Sequence, residues 1–78
     1  MEVILVSKNS CYECVYVKKQ LESVRVNYRI IDIEDQEALR HNVNKVPALI
    51  FVGKNNHSTI TGLVPNSKII GEIEKMAK

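Results

Sequence analysis

The sequence predicts one small α/β domain with elements in the order strand, helix, strand, helix, strand, strand, helix. Three observations predict it. Short runs of β-branched apolar residues alternate with stretches whose apolar residues recur every three or four positions. Turn residues fall between them. The whole is 78 residues long, enough for a single core and one domain over 1–78.

Val3 to Val6 is a continuous apolar run and reads as a buried first strand. A polar loop, Ser7-Lys8-Asn9-Ser10, follows, with Ser10 placed to cap a helix beginning at Cys11. Cys14, Val17, Leu21 and Val24 then form an apolar stripe, and Lys18, Lys19, Gln20, Glu22 and Ser23 fill the opposite side. Tyr28 to Ile33 reads as the second strand, centred on Ile30, Ile31 and Ile33. Acidic residues Glu34, Asp35 and Glu37 open a short second helix, where they complement its dipole. Ala38, Leu39 and Val43 are its expected inward positions, and Asn42 and Asn44 its stop signals.

Ala48 to Val52 is the strongest strand, entered through Pro47. Gly53-Lys54-Asn55-Asn56 is a turn, and Ser58 to Thr61 returns antiparallel. Gly62 ends that strand. Pro65 opens the last helix, whose stripe is Ile69, Ile70, Ile73, Met76 and Ala77. The first strand–helix–strand unit should be parallel with a right-handed crossover, and the hairpin adds an antiparallel edge.

Composition excludes several classes. Net charge is +2 without a basic stripe, and with no Trp, one Phe and three Tyr there is no base-stacking surface, so nucleic acid is not an expected ligand. No apolar stretch approaches the ~20 residues a bilayer requires. The start, Met1-Glu2, is acidic and its apolar run short, unlike a secretory signal, so a cytoplasmic monomer is expected.

The chemistry rests on Cys11 and Cys14. At a helix start, a spacing of three brings two sulfurs to one face within bridging reach. The helix N-terminus favours the thiolate of the first cysteine, which makes Cys11 the expected nucleophile and Cys14 the resolving thiol. A loop this tight contributes little as a structural staple. Zinc would need two further ligands, and His41 and His57 have no characteristic spacing; they read as exposed loop histidines. A cluster shared between two chains would need an interface to bring two such pairs together.

Around the pair, Lys8 and Lys45 are cations able to hold a thiolate or a substrate carboxylate, or else plain solvated lysines. Tyr12 and Glu13 lie between the cysteines, partly exposed, where they bear on partner choice. On its residues alone Pro47 fits an ordinary trans proline entering a strand. The other arrangement is a cis peptide beside the cysteines, leaving the Val46 N–H and C=O for an extended substrate.

Taken together, Val6-Ser7-Lys8-Asn9-Ser10-Cys11-Tyr12-Glu13-Cys14, Val46-Pro47-Ala48-Leu49-Ile50-Phe51 and Thr61-Gly62 resemble a glutaredoxin over nearly the whole chain. The resemblance implies a thioredoxin fold, a four-stranded mixed sheet flanked by three helices, with Val46–Pro47 cis. It implies a thiol–disulfide oxidoreductase with no bound cofactor beyond its redox-active disulfide, and a substrate site at Lys8, Tyr12, Val46, Pro47 and Gly62. Two departures stand out. Glutathione-using members usually carry Pro-Tyr where this chain has Tyr12-Glu13, and two glycines then acidic residues where it has Gly62-Leu63-Val64-Pro65-Asn66. The latter is closer to the NrdH-type redoxins, whose pattern is Gly-aromatic-x-Pro-Asp, although Leu63 and Asn66 replace the aromatic and the acid. That similarity implies recycling by thioredoxin reductase and electron delivery to ribonucleotide reductase. The alternatives are a glutathione-dependent glutaredoxin and a binding module that keeps the fold without turnover.

Overall fold

The computed structural model describes residues 1–77. Its elements are β1 (Glu2–Ser7), α1 (Tyr12–Ser23), β2 (Arg29–Asp32), α2 (Gln36–Arg40), β3 (Ala48–Val52), β4 (His57–Thr61) and α3 (Asn66–Met76), the order expected. They build one four-stranded mixed sheet in the order β2-β1-β3-β4. β1 pairs parallel with β2, and β3 pairs antiparallel with both β1 and β4.

The continuous apolar runs have a simple cause, since both faces of the central strands are covered. Val3, Leu5, Leu49, Phe51 and Ile60 point to one side and pack with Val17 and Leu21 of α1 and Ile69 and Met76 of α3. Ile4, Val6, Ile31, Ala48 and Ile50 point to the other and pack with Ala38 of α2 and Val43 beyond it. The alternation is that of a pleated strand, and the register Val6↔Ala48 and Val6↔Ile31 places like-facing residues side by side.

Four expectations about side chains are corrected. Leu39 is 63% exposed, because α2 is only five residues long and Ala38, about 100° away around the helix, takes its inward position. Ile30, at the centre of the second strand as expected, faces the α1 side of the sheet on an edge strand and is half-exposed. Ile70 and Ala77 lie at the solvent side of the α3 stripe. Gln20, assigned to the polar face of α1, is buried with 6% of its surface exposed.

Capping sets the element ends. Asp35 caps α2, its Oδ1 accepting from the Glu37 N–H at 2.8 Å. Asn42 then turns the chain with φ of 59°, a left-handed conformation asparagine tolerates. Among the described residues no helix is long and apolar enough to cross a membrane.

Candidate active site

The end of β1 delivers the chain into α1 through Lys8, Asn9 and Ser10. Ser10 does not cap the helix. It takes φ of 63°, a turn conformation, so α1 begins one residue later than expected and Cys11 is the capping residue. Cys11 is extended, and its Sγ accepts a hydrogen bond from the Cys14 N–H at 3.1 Å. The sulfur thus occupies the place a serine oxygen takes at an ordinary helix start, at the positive end of the dipole. Cys11 and Cys14 form a disulfide, their Cα atoms 5.3 Å apart.

The two sulfurs are not equivalent. Cys14, one turn into the helix, is 4% exposed, whereas Cys11 is only half-buried. An incoming group meets Cys11 first. Tyr12 and Glu13 stand outside it, Tyr12 almost wholly in solvent.

The Val46–Pro47 peptide is cis. Pro47 is fully buried, and its carbonyl accepts from the Gly62 N–H at 2.8 Å, which ties the entrance of β3 to the exit of β4. Gly62 has φ of +82°, a region open to glycine at little cost. Among the described residues, neither the N–H nor the C=O of Val46 has a backbone partner. A cavity of about 810 Å³ joins this loop to Cys11, lined by Lys8, Cys11, Tyr12, Glu13, Lys45 and Val46 among others. Of the sequence-derived site residues, Lys8, Tyr12 and Val46 therefore share a cavity with Cys11. Pro47 and Gly62 stand behind it as a hydrogen-bonded pair, and Cys14 borders a second depression on the far side of Cys11.

The sequence profile of the glutaredoxin family matches residues 3–54, from β1 into the turn after β3. The chain belongs to the glutaredoxin family. With its paired cysteines bridged at the head of α1, this glutaredoxin is a thiol–disulfide oxidoreductase. No curated protein sequence matches it closely enough to count as a relative. Solved structures similar to it include thioredoxins. Thioredoxin 1 from the thermophilic eubacterium Thermosipho africanus superposes with a TM-score of 0.72 at 17% identity, over 96% of this chain and 92% of that one. Thioredoxin O2 from Arabidopsis thaliana in its oxidized state gives 0.73 at 22% identity, over 99% and 75%. At such identities the likeness establishes the thioredoxin fold.

One residue of this glutaredoxin that sequence reasoning missed bears on the site. The Gln20 Nε2 donates to the Val64 carbonyl at 2.7 Å and to the Asn66 Oδ1 at 2.9 Å, so α1 holds the segment between β4 and α3. Its Oε1 is buried without a partner among the described residues. The available signal was position: Gln20 directly precedes Leu21 and follows Val17 by three, at the border of the apolar stripe.

His57 is exposed as expected but lies in a strand rather than a loop, and His41 is less exposed than expected. His57 begins β4, and its ring meets that of His41 edge to face at 5.0 Å between centroids. His41 is half-buried, with an Nδ1 that lacks a partner among the described residues. Neither joins the cysteines, and no three His, Cys, Asp or Glu side chains of the described residues gather as a metal site.

Proposed function

We propose that this glutaredoxin is a dithiol electron carrier that reduces protein disulfides, with Cys11 attacking and Cys14 resolving. The observation that carries the assignment is the contrast in position. Cys11 is half-exposed at the α1 cap with its sulfur on a helix N–H, and Cys14 is buried one turn behind it.

In the reduced protein, the Cys14 N–H and the helix N-terminus stand ready to hold a Cys11 thiolate. That thiolate attacks one sulfur of the substrate disulfide. An S–S bond forms between Cys11 and the substrate, and the other substrate sulfur leaves as a thiolate and takes a proton. The Cys14 thiol then gives up its proton and attacks the Cys11 sulfur, the mixed disulfide breaks, and the second substrate sulfur leaves as a thiolate and takes a proton. Two electrons have passed to the substrate, and the protein is left as the Cys11–Cys14 disulfide. The unpaired backbone groups of Val46 would pair with extended substrate, and Lys8 would meet its negative charge, with Tyr12 on the wall of the groove and the Pro47–Gly62 pair holding the Val46 loop in place from behind.

The segment that Gln20 holds bears on the choice of electron source. It contains no carboxylate, the first turn of α3 contains none either, and the Asn66 Oδ1 is engaged by Gln20. An ammonium group would find no charge-assisted acceptor there. This favours an NrdH-type role, with recycling by thioredoxin reductase and ribonucleotide reductase among the substrates. The second reading, reduction by glutathione and turnover of glutathione mixed disulfides, is favoured by Lys8 and Val46 sharing one cavity with Cys11.

NADPH consumption with a model disulfide separates the two. Run in parallel with thioredoxin reductase and with glutathione plus glutathione reductase, turnover with the former alone is expected. Turnover with glutathione alone would replace the first reading by the second.

A further inference from the structure

Two depressions flank the cysteine pair. One is the Val46 groove. The other, about 520 Å³, lies between α1 and the outermost strand β2, and both cysteines border it. Its walls follow from the sequence. Cys11, Val15 and Lys18, spaced by four and three, run along one face at the start of α1. Ile30 stands opposite Leu5 on the α1 side of the sheet. Val15 and Ile30 are 55% and 49% exposed, two β-branched apolar side chains left facing water beside the reactive pair.

The charge of this groove is one-sided. Lys8 and Lys18 line it, and no Asp or Glu does. Among the described residues neither lysine is in an ion pair. The Val46 groove, by contrast, has Glu13 on its wall.

We propose that this groove seats the part of a protein substrate next to the cysteine that Cys11 attacks, and that it selects an apolar side chain followed by a carboxylate. The proposal rests on the oxidoreductase reading above and adds the chemistry of the partner. Seven residues of helix separate Cys11 from Lys18, a rise of about 10 Å. An extended chain spans that in about three residues. A carboxylate three residues from the attacked cysteine therefore reaches Lys18, and the side chain before it rests on Val15 and Ile30. Because the partner is tethered through Cys11 in the mixed disulfide, contacts too weak to bind a free peptide still orient it. An exposed charge pair adds rate and specificity more than affinity.

The test uses two peptides, each closed by a Cys-x-x-Cys disulfide. One carries Leu two and Glu three residues outside each cysteine; its twin has Lys in place of Glu. The rate at which each oxidises the reduced full-length protein is measured at low salt, with hydroxyethyl disulfide as a short neutral reference. The acidic peptide should react about fivefold faster than its twin, the ratio should shrink as salt is added, and Lys18→Glu should reverse the order. Equal rates, or an order that survives Lys18→Glu while hydroxyethyl disulfide still reacts, overturn the groove and leave the oxidoreductase reading standing. A reduced protein that none of the three disulfides oxidises overturns both.

Discussion

Replacing Gln20 separates two things its amide does at once. The side chain makes two hydrogen bonds to the segment before α3, through the Val64 carbonyl and the Asn66 Oδ1. It also buries an oxygen that has no partner among the described residues. Gln20→Leu removes all three features and keeps much of the volume. The two lost bonds cost about 1 kcal/mol each, and removing a buried unpaired carbonyl returns about 1–3 kcal/mol. The net change is therefore within about 1 kcal/mol, a shift in melting temperature of no more than about 8 °C for a chain of this size. Gln20→Ala loses the same bonds and leaves a cavity against Leu21 as well, which should bring its cost to about 2–4 kcal/mol. Urea unfolding of the three proteins, followed by far-UV circular dichroism, gives both differences. A Leu variant as unstable as the Ala variant would contradict this. It would mean that the hydrogen bonds, not the volume, hold α1 to α3, or that a bound water already satisfies the oxygen.

Gly62→Ala forces a Cβ into φ of +82° where nothing crowds it, so the cost is purely conformational, about 1 kcal/mol, and Gly62→Asn should recover part of it; denaturant midpoints decide. The Arg29 guanidinium bridges Glu2 on β1 and Glu37 on α2, and its hydrogen bond to Glu2 holds that carboxyl below its ordinary value. A carboxyl lowered on folding stabilises above its unfolded-state pKa, and the contribution disappears as pH falls through the lowered folded value. Melting temperature should therefore drop on acidification, and less steeply in Arg29→Ala. Burial, then the hydrogen bond to Glu22, pushes the Tyr28 phenol upward. The folded state then keeps a proton that the unfolded chain gives up, so stability falls as pH rises past the ordinary phenol range. Tyr28→Phe should weaken that alkaline decline.

What the sequence made legible is what periodicity and spacing encode. β3 could be read to the residue because a strand covered on both faces is apolar throughout, and Pro47 and Gly53 mark its ends. The cysteine pair was legible because its spacing and its place after a strand have a direct geometric meaning. Periodicity does not say what lies across from a face. Gln20 looked polar and outward, and only the return of α3 against α1 gives its amide two acceptors 44 and 46 residues away. Ile30 could be placed at the centre of the second strand but not on its face or edge; β2 lies at one edge of the sheet, and Ile30 is half-exposed there. The cap moved from Ser10 to Cys11 because a sulfur three residues before Cys14 can itself accept the helix N–H. Proline 47 is cis in the structure, whereas its residues alone favoured trans; the resemblance to glutaredoxins, not the local sequence, pointed the right way. Of the two departures from glutathione-using relatives, Tyr12-Glu13 lies within the stretch the family profile matches, and Gly62–Asn66 lies beyond residue 54, outside it.

The division of labour between the two sulfurs is tested most directly by trapping. Cys14→Ser and Cys11→Ser, each reduced, are mixed with a disulfide-closed peptide and quenched with acid, and the covalent adducts are weighed by mass spectrometry. A persistent mixed disulfide on Cys11 is expected in the Cys14→Ser protein, and almost none on Cys14 in the Cys11→Ser protein. A stable adduct on Cys14, or none on Cys11, would contradict that division of labour.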